Sequence, residues 1–135
     1  MKGFVQGKAL MIGFLTSTIV FVGFLWMTAF FLWFLSGPVY YLSFWTPVII
    51  ATTAFAGAYQ SAKTAQFHGW LHGLVLALLL SATAFLFFYG AGTTLLSWSS
   101  IGLEVALLLL FSVLGGMAGV YSLPEKEEEK EWLPT

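Results

Sequence analysis

The chain of 135 residues has no cysteine, no arginine and no aspartate, and charged residues of any kind make up only 8% of it. Without cysteine there are no disulfides, thiolate metal sites or thiol nucleophiles. Without arginine there is no planar fork for phosphate, and a formal net charge of −1 supplies no basic face, so nucleic acid is not an expected partner. Without aspartate a Ser/His/Asp triad cannot form, and no glycine-rich phosphate loop with its lysine is present. The expectation is a chain that is not an enzyme and that carries no resident metal or cofactor.

What remains is apolar. Hydrophobic residues make up 59% of the chain and mean hydropathy is +0.91, whereas a soluble domain is about 25% charged. Too little polar surface exists to cover a water-soluble globule, so the lipid bilayer is the first partner. The expected fold class is all-α: a polytopic membrane protein with four transmembrane helices in an antiparallel up-down bundle over residues 1–121, followed by an acidic cytoplasmic tail over 122–135.

Four apolar runs place the helices at about 9–35, 39–62, 69–90 and 101–121. The first runs from Ala9 to Leu35 without a formal charge, longer than the roughly 7 to 15 residues of a signal-peptide core, and is read as a retained span with Lys8 snorkelling at one end. Ser36-Gly37-Pro38 separates it from the second, where Tyr40, Tyr41 and Trp45 read as an interfacial aromatic belt. Pro47 either kinks that helix or marks the start of its embedded part. Phe87, Phe88 and Tyr89 form a second belt, and Pro124 stops the fourth run before the tail of five glutamates and two lysines.

Hydrophobic pressure relents between Ala54 and Gly73, where Lys63, Gln60, Gln66, His68 and His72 fall together among small residues. This stretch is expected to form the elbow between the second and third helices, with Gln60, Lys63 and Gln66 as its contacts to a partner. Lys2 and Lys8 precede the first helix and Lys126 and Lys130 follow the fourth. Four spans therefore put every lysine on one side, and the positive-inside rule makes both termini and the elbow cytoplasmic.

Helices in lipid associate by close backbone approach, which small residues spaced by four allow. Three stripes have that spacing: Ala54, Ala58 and Ala62 with Gly57 and Ser61 on the second helix; Gly69, Gly73, Ala77 and Ser81 on the third; Ser112, Gly115, Gly116 and Gly119 on the fourth. They are expected to be the packing faces, to make the elbow half the tightest part of the bundle, and to serve association with a membrane-protein partner or a second copy of the chain.

The run G-A-Y-x-S-A from Gly57 to Ala62, the G-W-L-H-G of Gly69 to Gly73 and the L-G-G-M-x-G of Leu114 to Gly119 resemble the YrzE-like family of small four-helix membrane proteins from Gram-positive bacteria. The resemblance covers nearly the whole length apart from the tail. It implies an integral protein of the bacterial cytoplasmic membrane, with no catalytic residues to carry over, encoded near accessory components of the protein-export machinery. The elbow of that family is more basic than this one, where Lys63 stands with His68.

Two further groups invite chemistry. His68 and His72 share a helical face, but a metal site needs a third ligand. Glu104, the one acid within the spans, is expected level with Leu86 of the third helix, about 21 Å from His72 at 1.5 Å per residue. His72 therefore reads as a hydrogen-bonding residue between helices. Glu104 reads either as a first-turn acid capped by Ser99 or Ser100 or as an intramembrane carboxylate on a proton or cation path. From these residues the expected function is that of a structural or accessory subunit of a membrane complex, the alternative being a small homo-oligomeric transporter or channel that uses Glu104.

Overall fold

The computed structural model describes residues 6–34, 42–90 and 98–123, and all its regular structure there is helical. Four helices follow in order: α1 (Gly7–Phe34), α2 (Leu42–Ala65), α3 (Gly69–Gly90) and α4 (Trp98–Tyr121). The Ser36-Gly37-Pro38 connection, Tyr40 and Tyr41, and the acidic tail from Pro124 onward lie outside the described residues.

Three helices have segments long and apolar enough to cross a membrane: Gly7–Phe34, Gly69–Phe87 and Ile101–Tyr121. The exception is α2, whose 24 residues include Thr46, Thr52, Thr53, Gln60, Ser61, Lys63 and Thr64. Its composition follows from its place. It packs extensively against its neighbours, most of all α4 and then α1, whereas α3 reaches α1 only slightly and α1 and α4 do not meet among the described residues. A helix covered by other helices presents less surface to lipid and so needs less apolar character.

α2 is described from Leu42 and continues through Lys63 to Ala65, beyond the expected end at Ala62, so Pro47 lies inside it. Proline there removes one backbone donor, that for the carbonyl of Ser43, one turn from the helix start. Of the stretch expected to form an elbow, only Gln66, Phe67 and His68 are outside helices. The chain reverses within those three residues by placing two side-chain-bearing residues in the left-handed region, Gln66 at φ 61° and His68 at φ 45°; this conformation costs roughly 1–2 kcal/mol per residue. The Gln66 N–H still donates to the Ala62 carbonyl at 2.9 Å, and the His68 carbonyl accepts from Leu71 at 3.0 Å and His72 at 3.2 Å. His68 is thereby the N-cap of α3.

Burial is concentrated at the end of the bundle that carries this turn. In α1 it stops at Ser17 and in α3 at Ala77, while in α4 it begins only at Ser112. The other half is open: Trp26, Trp33, Phe44, Leu86 and Phe87 are each more than two-thirds exposed. One polar contact ties α1 to α2 there. The indole N–H of Trp45 donates to Thr28 Oγ1 at 2.9 Å, that hydroxyl donates to the Phe24 carbonyl at 2.7 Å, and the Phe24 and Trp45 rings meet edge to face at 6.4 Å. Trp45, expected in an interfacial belt, makes a helix-to-helix contact.

Candidate functional site

Three seams of small residues join the helices at the turn end. Between α1 and α2, a Cβ built on Gly13 would stand 2.6 Å from the Ser61 Cβ and 2.8 Å from the Gly57 carbonyl oxygen. One built on Gly57 would collide with the Ser17 hydroxyl and stand 2.8 Å from the Gly13 carbonyl oxygen. Between α3 and α4, a Cβ on Gly69 would strike the Gly116 carbonyl, one on Gly116 the Gly69 carbonyl, and one on Gly73 the Ser112 carbonyl. In both pairs the contacts rise along one helix as they fall along the other. Between α2 and α4, Gly115 lies on the Phe55 carbonyl and Gly119 on that of Tyr59, with contacts rising together. Most of these obstacles are backbone, which no rotamer change moves aside, so the glycines are required by distance rather than by conformation.

Every residue of the three expected stripes falls in or beside these seams. Ala54, Gly57, Ala58, Ser61 and Ala62 of α2, Gly69, Gly73 and Ala77 of α3, and Ser112, Gly115, Gly116 and Gly119 of α4 are buried. Ser81 is half-buried and stands beyond the close contacts. The stripes meet one another within the chain. Gln60, Lys63 and Gln66, by contrast, are all exposed, with the Lys63 ammonium 5.8 Å from the centre of the Tyr59 ring.

Sequence reasoning missed the fourth stripe. Ala9, Gly13 and Ser17, the buried residues of α1, are spaced by four as well. That signal was present but stood inside an uninterrupted apolar run where every face looked alike.

The polar interior consists mostly of hydroxyls. Ser17 Oγ donates to the Thr53 carbonyl at 3.4 Å, whereas the hydroxyl oxygens of Thr53, Ser61, Ser81 and Ser112 are buried with no hydrogen-bond partner. Serine at these positions contributes small volume to the seam.

His72 is fully buried, with both ring nitrogens engaged: Nδ1 lies 3.2 Å from the His68 carbonyl and Nε2 accepts the Gln6 backbone N–H at 3.3 Å. Phe67 stands edge-on to both imidazoles, 5.6 Å from His68 and 5.7 Å from His72. The exposed His68 and buried His72 thus face different surroundings, and among the described residues no three metal-ligating side chains come together.

Glu104 is half-buried and is the seventh residue of α4, which starts at Trp98. It is therefore beyond the first turn, where dipole stabilisation operates, and Ser99 and Ser100 are inside the helix rather than before it. Carrying the Gly73–Ser112 contact eight residues along both helices sets Glu104 level with Ser81, not Leu86, about 14 Å along α3 from His72. Eleven residues before Gly115, it lies on the side of α4 that meets α2.

Neither a search of curated proteins nor a search of solved structures returned a match. A family model does match, over residues 6–119, which takes in all four helices up to the last glycine of the α4 seam. The chain belongs to the family described as Protein of unknown function (DUF3792).

Proposed function

We propose that the protein is a four-span integral membrane protein that serves, without catalysis of its own, as a structural or accessory subunit of a complex in the bacterial cytoplasmic membrane. What supports a fourth span is the position of α2. At 24 residues it is about 36 Å long, and it lies between helices that are themselves long and apolar enough to cross. A helix so enclosed shares their depth. The seam contacts that run in opposite directions in α1–α2 and α3–α4, and together in α2–α4, support an up-down order. Both termini and the turn are then cytoplasmic by the lysine distribution. The earlier likeness to the YrzE-like family of Gram-positive bacteria, and a place near the export machinery, belong to this same reading.

The observation that carries the functional part is the division of the molecule. One half is locked by glycine contacts, while the other leaves large apolar side chains uncovered on α1, α3 and α4. Contacts to a partner fall to that open half and to the exposed Gln60, Lys63 and Gln66. Gentle solubilisation followed by co-purification tests this: recovery with a defined membrane partner is expected, and a chain that emerges alone and monomeric counts against it.

A second reading is favoured by one observation, the half-buried carboxylate of Glu104 beyond the first turn of α4. Intramembrane acids commonly mark proton or cation paths, and a small homo-oligomeric transporter or channel would use it so.

A further inference from the structure

Gln6 immediately precedes α1, and its carbonyl accepts the Leu10 N–H at 3.1 Å, which makes it the N-cap of that helix. Its own N–H is among the donors a helix start leaves without an intrahelical partner, and the partner it finds is the Nε2 of His72, 66 residues away. The same ring reaches the carbonyl of His68, the N-cap of α3, through Nδ1. One buried imidazole therefore joins the caps of two helices.

The chemistry fixes its state. A carbonyl oxygen only accepts, so Nδ1 carries the proton, and a backbone N–H only donates, so Nε2 carries none. The ring is the neutral Nδ1–H tautomer. A second proton would turn Nε2 into a donor pointed at another donor, and the bond to Gln6 could not survive. The loss would be felt at α1 in particular, because α1 and α3 have little other contact.

We infer that His72 is a proton-binding site that clasps the start of α1 to the start of α3 when neutral and releases it when protonated. Among the described residues the other titratable groups toward this end are Lys8 on α1, Tyr59 and Lys63 on α2, His68 at the start of α3 and Tyr121 on α4. Of these only His68 is also an imidazole, so it is the competing origin of any response to acidification.

The test uses the full chain in lipid vesicles, with spin labels on Gly7→Cys and Trp70→Cys. Gly7 has open space around it, Trp70 is half-exposed, and the chain has no other cysteine. Dipolar broadening is expected while the ring is neutral and is expected to diminish on acidification, with the response kept in His68→Gln and absent from His72→Gln. A spectrum unchanged on acidification, a response lost in His68→Gln, or one that persists in His72→Gln would overturn the inference. Should His72→Gln fail to fold, nitrogen-15 resonances of His72 in the native sequence decide it. The Nδ1–H tautomer before acidification supports the clasp, and the Nε2–H tautomer refutes it.

Discussion

Gly69 and Gly116 meet backbone to backbone, each with its missing side chain directed at the carbonyl oxygen of the other. No methyl group fits on either side, and the obstacle cannot rotate away. Alanine at Gly69 or at Gly116 is therefore expected to push α3 from α4 and to lower stability by about 1–3 kcal/mol, the usual cost of overpacking. Equilibrium unfolding in mixed detergent micelles measures it. Alanine at Gly23, where nothing lies within 4 Å, is the control and should stay within about 0.5 kcal/mol of the native chain.

Gly57 and Ser17 give a test of pairing. A Cβ on Gly57 would meet the Ser17 hydroxyl and lie 3.0 Å from the Ser17 Cβ. Gly57→Ala alone should destabilise, and Ser17→Gly added to it should recover part of the loss despite removing the bond to the Thr53 carbonyl. A coupling of about 0.5–3 kcal/mol is expected in a double-mutant cycle. Additive effects would mean that α1 and α2 do not touch at this point.

In the open half, Thr28→Val should remove the acceptor for the Trp45 indole and cost about 0.6–2 kcal/mol, the range seen for hydrogen bonds between membrane helices. Thr28→Ser should restore it. Unfolding monitored alongside tryptophan emission separates the two variants.

Topology is decided by single cysteines, since the chain has none of its own. Gly7→Cys and Lys63→Cys, both at exposed positions, should react with a membrane-impermeant reagent from the same, cytoplasmic side. Reaction from opposite sides would mean that α2 does not cross.

Glu104→Gln separates the two functional readings. In proteoliposomes a structural subunit gives no proton- or cation-driven flux with either carboxylate or amide. A flux present in the native protein and lost in the variant would assign the protein to transport.

The sequence made the helices legible because each apolar run is bounded by residues that interrupt it, and it made three packing stripes legible because small residues at a spacing of four allow close backbone approach. The limits lay where periodicity carries no information. The stripe of α1 was hidden in a run of uniform character. The turn at Gln66 to His68 has no glycine to announce its left-handed residues. The bond from Gln6 to His72 joins positions too far apart for any local pattern to connect. Glu104 was placed too near the start of its helix because the start itself is upstream of the apolar run, at Trp98.

The restriction of burial to one half also bears on how the molecule responds to its solvent. Where glycine backbones touch, helix separation is set by the protein alone. Beyond Ser17, Ala77 and, toward the start of α4, Ser112, separation depends on what fills the space between Phe, Leu and Trp side chains, and in a membrane that is acyl chain. Bilayer thickness and lateral pressure should then alter the spread of the far halves while leaving the turn end unchanged. The shape this protein offers a neighbour would in part be chosen by the lipid around it.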